Sequence, residues 1–301
     1  MKRFLSISLI AASVLPALLY SAQESLRYTI GVHEFENRSN FRGQINLAQS
    51  WGAVLTDALQ QSGRFIVLGE SEMRGAALME QDLAASGRAA GGDRAPQTGQ
   101  LTPAQLLVKG EITHLQTTGG GDGGVSVRGF SVGGGRSSAE INAIVYVVDS
   151  TTGQVKASKR VEGNSASTRA RVGVRRSGVG ADIGGFQNEN LAEAVALAIE
   201  DAVAFIVSEL DSVPWTADVV AVRGGQVYIN RGEREGVSTG QNFVVGTVEE
   251  LRDPGTGELL DIIMEEKARL EVAEVRERIA ICKIIDGDPA AIERGSKVSL
   301  P

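Results

Sequence analysis

Among the residues of this 301-residue chain that could do chemistry are two histidines, one cysteine and several carboxylate pairs. His33 and His114 lie far apart, each in a stretch that alternates like a strand, so both read as face residues of a sheet. HExxH spacing and a second cysteine are both absent. The glycine runs Gly119–Gly124 and Gly133–Gly135 suggest phosphate cradles. Neither is followed by Lys-Ser/Thr or opens a helix, so the phosphate-loop reading fails. The pairs Glu249-Glu250 and Glu265-Glu266 read as solvated surface. Catalysis, a cofactor and a metal are therefore not expected, and the chain reads as a non-enzyme.

The remaining residues say where such a chain works. Met1-Lys2-Arg3 is a basic start, and Phe4–Leu19 is apolar apart from three serines and Pro16. Small and polar residues follow at Ser21, Ala22 and Gln23, completing the pattern of a secretory signal peptide over residues 1–22. The apolar run is about 16 residues, short of the roughly 20 of a spanning helix. With no other long apolar stretch, membrane contact must come through β-structure or the surface. The formal net charge of −7 argues against nucleic acid as a partner. Cys282 is the only cysteine, so an intrachain disulfide is impossible even in an oxidising compartment. Its Ile-Ala-Ile-Cys-Lys-Ile-Ile setting is that of a buried small residue on a strand. No cysteine follows the apolar run, which excludes lipid attachment there.

The elements fall into two parts, residues 23–213 and 214–301. Residues 27–36 (RYTIGVHEFE) read as a strand and 37–46 as a polar loop. Asn46 caps a helix with Leu47, Trp51, Val54, Leu55, Ala58 and Leu59 at helical spacing, and Gly63 stands at its C′ position. Residues 65–68 form a short strand. Residues 70–86 form a helix with an apolar stripe of Met73, Ala77, Leu78 and Leu83. Thr102-Pro103 predicts a single helical turn. Strands follow over 106–115, 139–149 and 154–161, the last two joined by a turn at 150–153. Asn188 caps a long helix from Glu189 to about Leu210, apolar nearly all round and hence buried. After Pro214, short strands and turns such as Asp253-Pro254-Gly255-Thr256-Gly257 argue a small β-barrel or sandwich.

Between these elements lie two glycine-spaced hairpins, near 119–140 and 165–187. In Arg169–Phe186, Ala170, Val172 and Val174 share one face of an extended chain and Arg169, Arg171, Gly173 and Arg175 the other. After a turn at Ser177-Gly178, Val179, Ala181 and Ile183 alternate with Gly180, Asp182 and Gly184. Apolar outward and polar inward is the alternation of a membrane β-barrel, with Val172, Val174, Val179 and Ile183 facing lipid. Each apolar stretch is about 8 residues against the 9–11 of a tilted membrane strand, and the residues fit a glycine-rich surface hairpin or a disordered loop equally. Four strands cannot close a barrel, and unpaired edges are intolerable in hydrocarbon, so insertion predicts a homo-oligomeric ring.

The segments VHEFENRSN, SGRFIVLGE, KGEIT and AEINAIVYVVDSTTGQV, in this order of elements, resemble the CsgG family of curli secretion channels over about residues 25–211. The resemblance implies an α/β (α+β) periplasmic domain whose two hairpins join those of neighbours in one shared outer-membrane β-barrel. It also implies a ring, a nonamer if like the family, that exports unfolded curli-like polypeptide in a Gram-negative envelope with periplasmic accessory proteins. The family's constriction loop follows the first strand and is lined by aromatic and asparagine side chains; here Asn40, Phe41 and Asn46 are the candidates. Two departures stand out. The family's lipid-bearing cysteine is absent, and residues 214–301 are additional, similar to the terminal β-domain of the flagellar protein FlgT. The alternative is a soluble periplasmic scaffold or regulator of the FlgT or LpoB kind.

Overall fold

The computed structural model describes residues 26–40, 46–90, 92, 94–118, 124–127, 130–133, 136–168, 189–257 and 259–301. It divides into two units, Tyr28–Pro214 and Trp215–Pro301, the latter together with Leu26 and Arg27. The signal segment, Phe41 and the tip of the second hairpin lie outside the described residues.

The first unit is a mixed sheet packed against helices. Its strands are β1 (Tyr28–Val32), β2 (Glu36–Asn37), β3 (Phe65–Leu68), β4 (Leu106–Thr118), β7 (Arg136–Asp149) and β8 (Val155–Thr168), in the order β3-β1-β4-β7-β8 with β2 also on β4. β1 pairs parallel with β3 and β4, whereas β4-β7 and β7-β8 are antiparallel. Between β4 and β7, β5 (Gly124–Val127) and β6 (Phe130–Gly133) pair as a small separate hairpin.

Helix α1 (Leu47–Gln61) begins where Asn46 accepts a hydrogen bond from the Gln49 amide at 3.3 Å. It ends at Gly63, whose φ of 68° the left-handed turn requires. Leu47, Trp51, Leu55 and Leu59, four residues apart, are its buried stripe. The expected single first strand is instead interrupted over 33–35. There the chain turns Phe35 inward, 1% exposed, with its ring centroid 5.9 Å from that of Trp51. His33 therefore sits in the break, not in a strand, and meets Ser71 Oγ through Nδ1 at 3.1 Å.

α3 (Glu189–Ser208) buries Leu191, Ala194, Val195, Ala198, Ile199, Ala202 and Ile206, while Glu193, Leu197 and Glu200 are exposed. It is an amphipathic helix laid on β7 and β8, and not one buried all round. Gly52, in the middle of α1, is buried with nothing within 4 Å of the position a Cβ would take. Gly52→Ala is thus expected to stabilise the unit by about 1 kcal/mol, through helix propensity and a stiffer unfolded chain, as a higher melting temperature would show.

Two further expectations are corrected. Residues 102–103 make no helical turn. Instead the Gln105 amide donates to the Thr29 carbonyl at 2.9 Å and the Thr29 amide to Gln105 Oε1 at 3.0 Å, which ties the segment to β1. Helix α2 (Ser71–Ala85) forms, but Met73, Leu78 and Leu83 of its stripe are exposed. Arg74 Nη1 donates to the Thr102 carbonyl, which holds the helix by its polar side.

The second unit is a closed barrel, and not a sandwich, in the order β10-β13-β12-β11-β14-β9. Its strands are β9 (Thr216–Arg223), β10 (Gln226–Ile229), β11 (Asn242–Arg252), β12 (Leu259–Val275), β13 (Ala280–Gly287) and β14 (Lys297–Ser299). Val219, Val227, Ile229, Val245, Leu270, Val272 and Val298 fill it, and Trp215 stacks on Phe243 at 4.9 Å. Cys282 on β13 is fully buried, and burial pushes its thiol up to about 12, so it is an inert packing residue. Where β9 meets β14, partial burial raises the Asp218 carboxyl. Hydrogen bonds from Lys297 Nζ at 2.5 Å and Asn230 Nδ2 at 2.9 Å outweigh it, leaving the group below the usual carboxylate range.

Candidate functional site: the hairpin roots and the loop after the first strand

β4, β7 and β8 run 13, 14 and 14 residues, more than twice the usual strand of about 5–6. A strand that long outruns a helix layer, so part of the ribbon must leave the core. The sequence placed these strands at 106–115, 139–149 and 154–161. The structure carries them to Thr118, back to Arg136 and on to Thr168, into the segments expected to be hairpins. Polarity hid this extension: QTT, RSS and EGNSAST look like loop, but cross-strand pairing satisfies their backbones.

The two faces of this ribbon differ. On the helix side, Ile112, Ala143 and Val161, then Ile141 and Gly163, then Ala139 and Ser165 stay buried under α3. Ser165 Oγ donates to Glu193 Oε2 at 2.5 Å at the start of that helix. On the other face the register aligns three polar rows. These are His114–Asn142–Glu162, Gln116–Glu140–Asn164 and Thr118–Ser138–Ala166. A register shift between Ile112 and His114 accommodates Thr113, whose hydroxyl donates to the Asn142 carbonyl. His114 is thus an exposed residue in a polar row, as its alternation predicted.

Nearer the middle of the sheet the same face carries a shallow depression of about 380 Å³ lined by Glu36, Arg38, Lys109, Glu111, Tyr146 and Val155, among others. Arg38 spans it, bonding Glu36 at 2.8 Å and Glu111 at 2.7 Å. Arg38, Glu36 and Glu111 are thus already paired with one another.

The loop after the first strand starts here. Asn37 Oδ1 accepts from the Ser39 amide at 3.0 Å, and Asn40 beside it is exposed. Phe41 lies outside the described residues. Asn46 has a structural duty as the N-cap of α1, so of the three candidates Asn40 is the described one whose side chain no helix end uses. Val172, Val174, Val179 and Ile183 all lie outside the described residues. Among the described residues no helix is long and apolar enough to cross a membrane.

Comparison with known proteins bears on this arrangement. No curated protein matches the sequence. Several solved structures are loosely similar. The hypothetical protein CT253 of Chlamydia trachomatis matches at 16% identity and a TM-score of 0.34, covering 62% of this chain and 96% of that one. A PelC dodecamer from Paraburkholderia phytofirmans matches at 13% and 0.27, covering 58% and 85%. The LpoB C-terminal domain of Salmonella enterica matches at 15% and 0.25, covering 46% and 82%. Similarity this loose carries no argument about function. The family comparison is far broader: the model for the curli production assembly/transport component CsgG matches residues 13–241, taking in the whole α/β unit and the start of the barrel. This chain belongs to the CsgG family of the bacterial cell envelope.

Proposed function

We propose that the chain is the subunit of a homo-oligomeric outer-membrane secretion channel that passes unfolded, curli-like polypeptide and performs no bond chemistry. The observation that carries this reading is the three-stranded ribbon β4-β7-β8, which runs beyond its helix cover into both hairpin segments with one face polar. Polar rows on one face and apolar alternation in the segment beyond are what strands need where one side meets water and the other lipid. Four hairpin strands per subunit leave two edges, and copies arranged in a ring remove them. The exposed stripe of Met73, Leu78 and Leu83 on α2 gives such copies an apolar surface to bury. Asn40, Phe41 and Asn46 belong to the loop that narrows the channel in this reading.

A periplasmic scaffold is the second reading. It is favoured by the polar ends of β4, β7 and β8, which water alone would also satisfy. The deciding experiment is fractionation of the native envelope, detergent extraction and negative-stain imaging. Rings in the outer-membrane fraction support the channel. A soluble monomer released without detergent rejects it.

A further inference from the structure

The closed barrel of the second unit leaves one part of itself open. β12 pairs with β13 only from Ala268 onward, and β11 pairs with β14 only over Val244–Gly246. Beyond these points β11 and β12 continue with each other alone, from Thr247–Glu265 out to Arg252–Leu259, as a two-stranded arm closed by the Asp253–Gly257 turn. The turn is well made: Asp253 Oδ1 accepts from the Gly255 and Thr256 amides at 2.7 and 2.8 Å. Along residues 259–266 the outer edge of β12 has no described strand beside it, and there the Ile262 amide donates to Asp261 Oδ1 at 2.8 Å.

The arm's side chains are unlike an ordinary guarded edge. Leu260, Ile262, Ile263 and Leu251 are 62%, 52%, 49% and 39% exposed, where an edge is normally blunted with lysine or proline. Register sorts them. Val248 with Met264 and Glu250 with Ile262 lie on one face, and Leu260 is the extra residue at the register shift between Leu251 and Arg252. Glu249 with Ile263, Leu251 with Asp261, and Thr247 with Glu265 lie on the other. The first face is mainly apolar, and the second carries three carboxylates beside Ile263 and Leu251. Residues 247–267 hold seven acidic side chains and two basic ones. Both bases are held within the arm, Arg252 by Glu250 at 2.7 Å and Lys267 by Glu265 at 2.5 Å. Glu249 and Asp261 pair with no cation among the described residues.

We propose that this arm is a docking edge for a partner protein, which adds an extended segment beside residues 259–266 of β12. The added strand makes the missing ladder bonds, and its side chains alternate apolar and basic. Its apolar residues lie against Ile262 and Met264; its lysines or arginines lie against Asp261, with Glu249 on the same face. Charge selects this occupant. A second copy's arm would set carboxylates against carboxylates, and an anionic lipid surface would be repelled. The inference does not depend on whether the hairpins enter a membrane.

The test uses the full chain and a fluorescent octapeptide alternating valine and lysine, read by anisotropy, with a valine–glutamate octapeptide as control. The valine–lysine peptide is expected to bind at least tenfold more tightly, and to slow amide exchange over 259–266. In the double variant Glu249→Lys with Asp261→Lys, the preference between peptides should reverse. Both positions are exposed, so an unchanged thermal transition confirms that the fold is kept. Equal binding of the two peptides, a preference that the double variant leaves unchanged, or protection confined to another part of the chain would overturn the proposal. So would binding of the arm to vesicles of phosphatidylglycerol in preference to the peptide, or an arm-dependent dimer.

Discussion

Gly163→Ala should lower the stability of the α/β unit by about 3 kcal/mol, the largest loss expected from adding a single methyl group here. A Cβ at position 163 would stand 1.8 Å from the Ala194 carbonyl oxygen and 3.1 Å from the Ala198 Cβ. The nearer obstacle is main chain, so no rotamer change relieves it. β8 cannot retreat, because Gly163 is paired with Ile141 in the interior of the long ladder. α3 approaches so closely because it presents Ala194, Ala198 and Ala202, all fully buried, as a stripe of small residues. Relief requires lifting the helix, which unpacks Val195, Ile199 and Ile206 as well. By calorimetry the transition of this unit should fall by about 6–12 °C. Gly52→Ala, the same chemical change at a site with room, should move it the other way. A Gly163→Ala protein with an unchanged transition would mean that helix and sheet are not packed as described.

Replacing both Val172 and Val174 with arginine should abolish assembly in the outer membrane if the chain is a channel subunit. The two valines alternate with Arg171, Gly173 and Arg175 in the sequence, so on an extended chain they share the apolar face. An arginine on the lipid face of a membrane strand costs about 2–4 kcal/mol near the midplane and less near the interfaces. A ring repeats that cost in every subunit, so the assembled state is disfavoured many times over while each subunit still folds. Imaging of the detergent extract should then show no rings, with the protein in the soluble fraction. Arg171→Gln, on the opposite face, should leave assembly intact. If the chain is instead a periplasmic scaffold, the double substitution lies on a wetted surface and changes stability by no more than about 0.5 kcal/mol. Rings that persist in the double variant would end the lipid-facing assignment of Val172 and Val174.

Much of the architecture was legible because it rests on local chemistry. The Asn46 cap, the Leu47–Trp51–Leu55–Leu59 spacing and Gly63 specify α1 without help from the rest of the chain. The alternation around Cys282 marked a buried strand residue, and the turn at 253–257 carries its own hydrogen bonds. The ordered segments that resemble the CsgG family were likewise readable in the chain, and the family match over residues 13–241 agrees with them.

Other features were decided by partners distant in sequence. The 102–105 segment is tied to β1 through Gln105, whose hydrogen bonds to Thr29 stand in place of the turn of helix expected locally. The polar strand ends at 116–118, 136–138 and 162–168 look like loop because strand propensity is judged by apolar side chains, whereas ladder pairing satisfies the backbone whatever the side chains are. Gly163 and the alanines of α3 are unremarkable as residues, and only their meeting makes the glycine necessary. The stripe on α2 and the arm of β11 and β12 show the converse: hydrophobic spacing specified helix and strand, but which apolar faces the chain covers depended on tertiary packing. The sequence by itself determined the elements, their order and the family, because caps, turns and periodicity act between near neighbours. Only the tertiary structure decided which strands outrun the core, which glycine must stay a glycine and which edges remain open, because these depend on contacts between residues far apart in the chain.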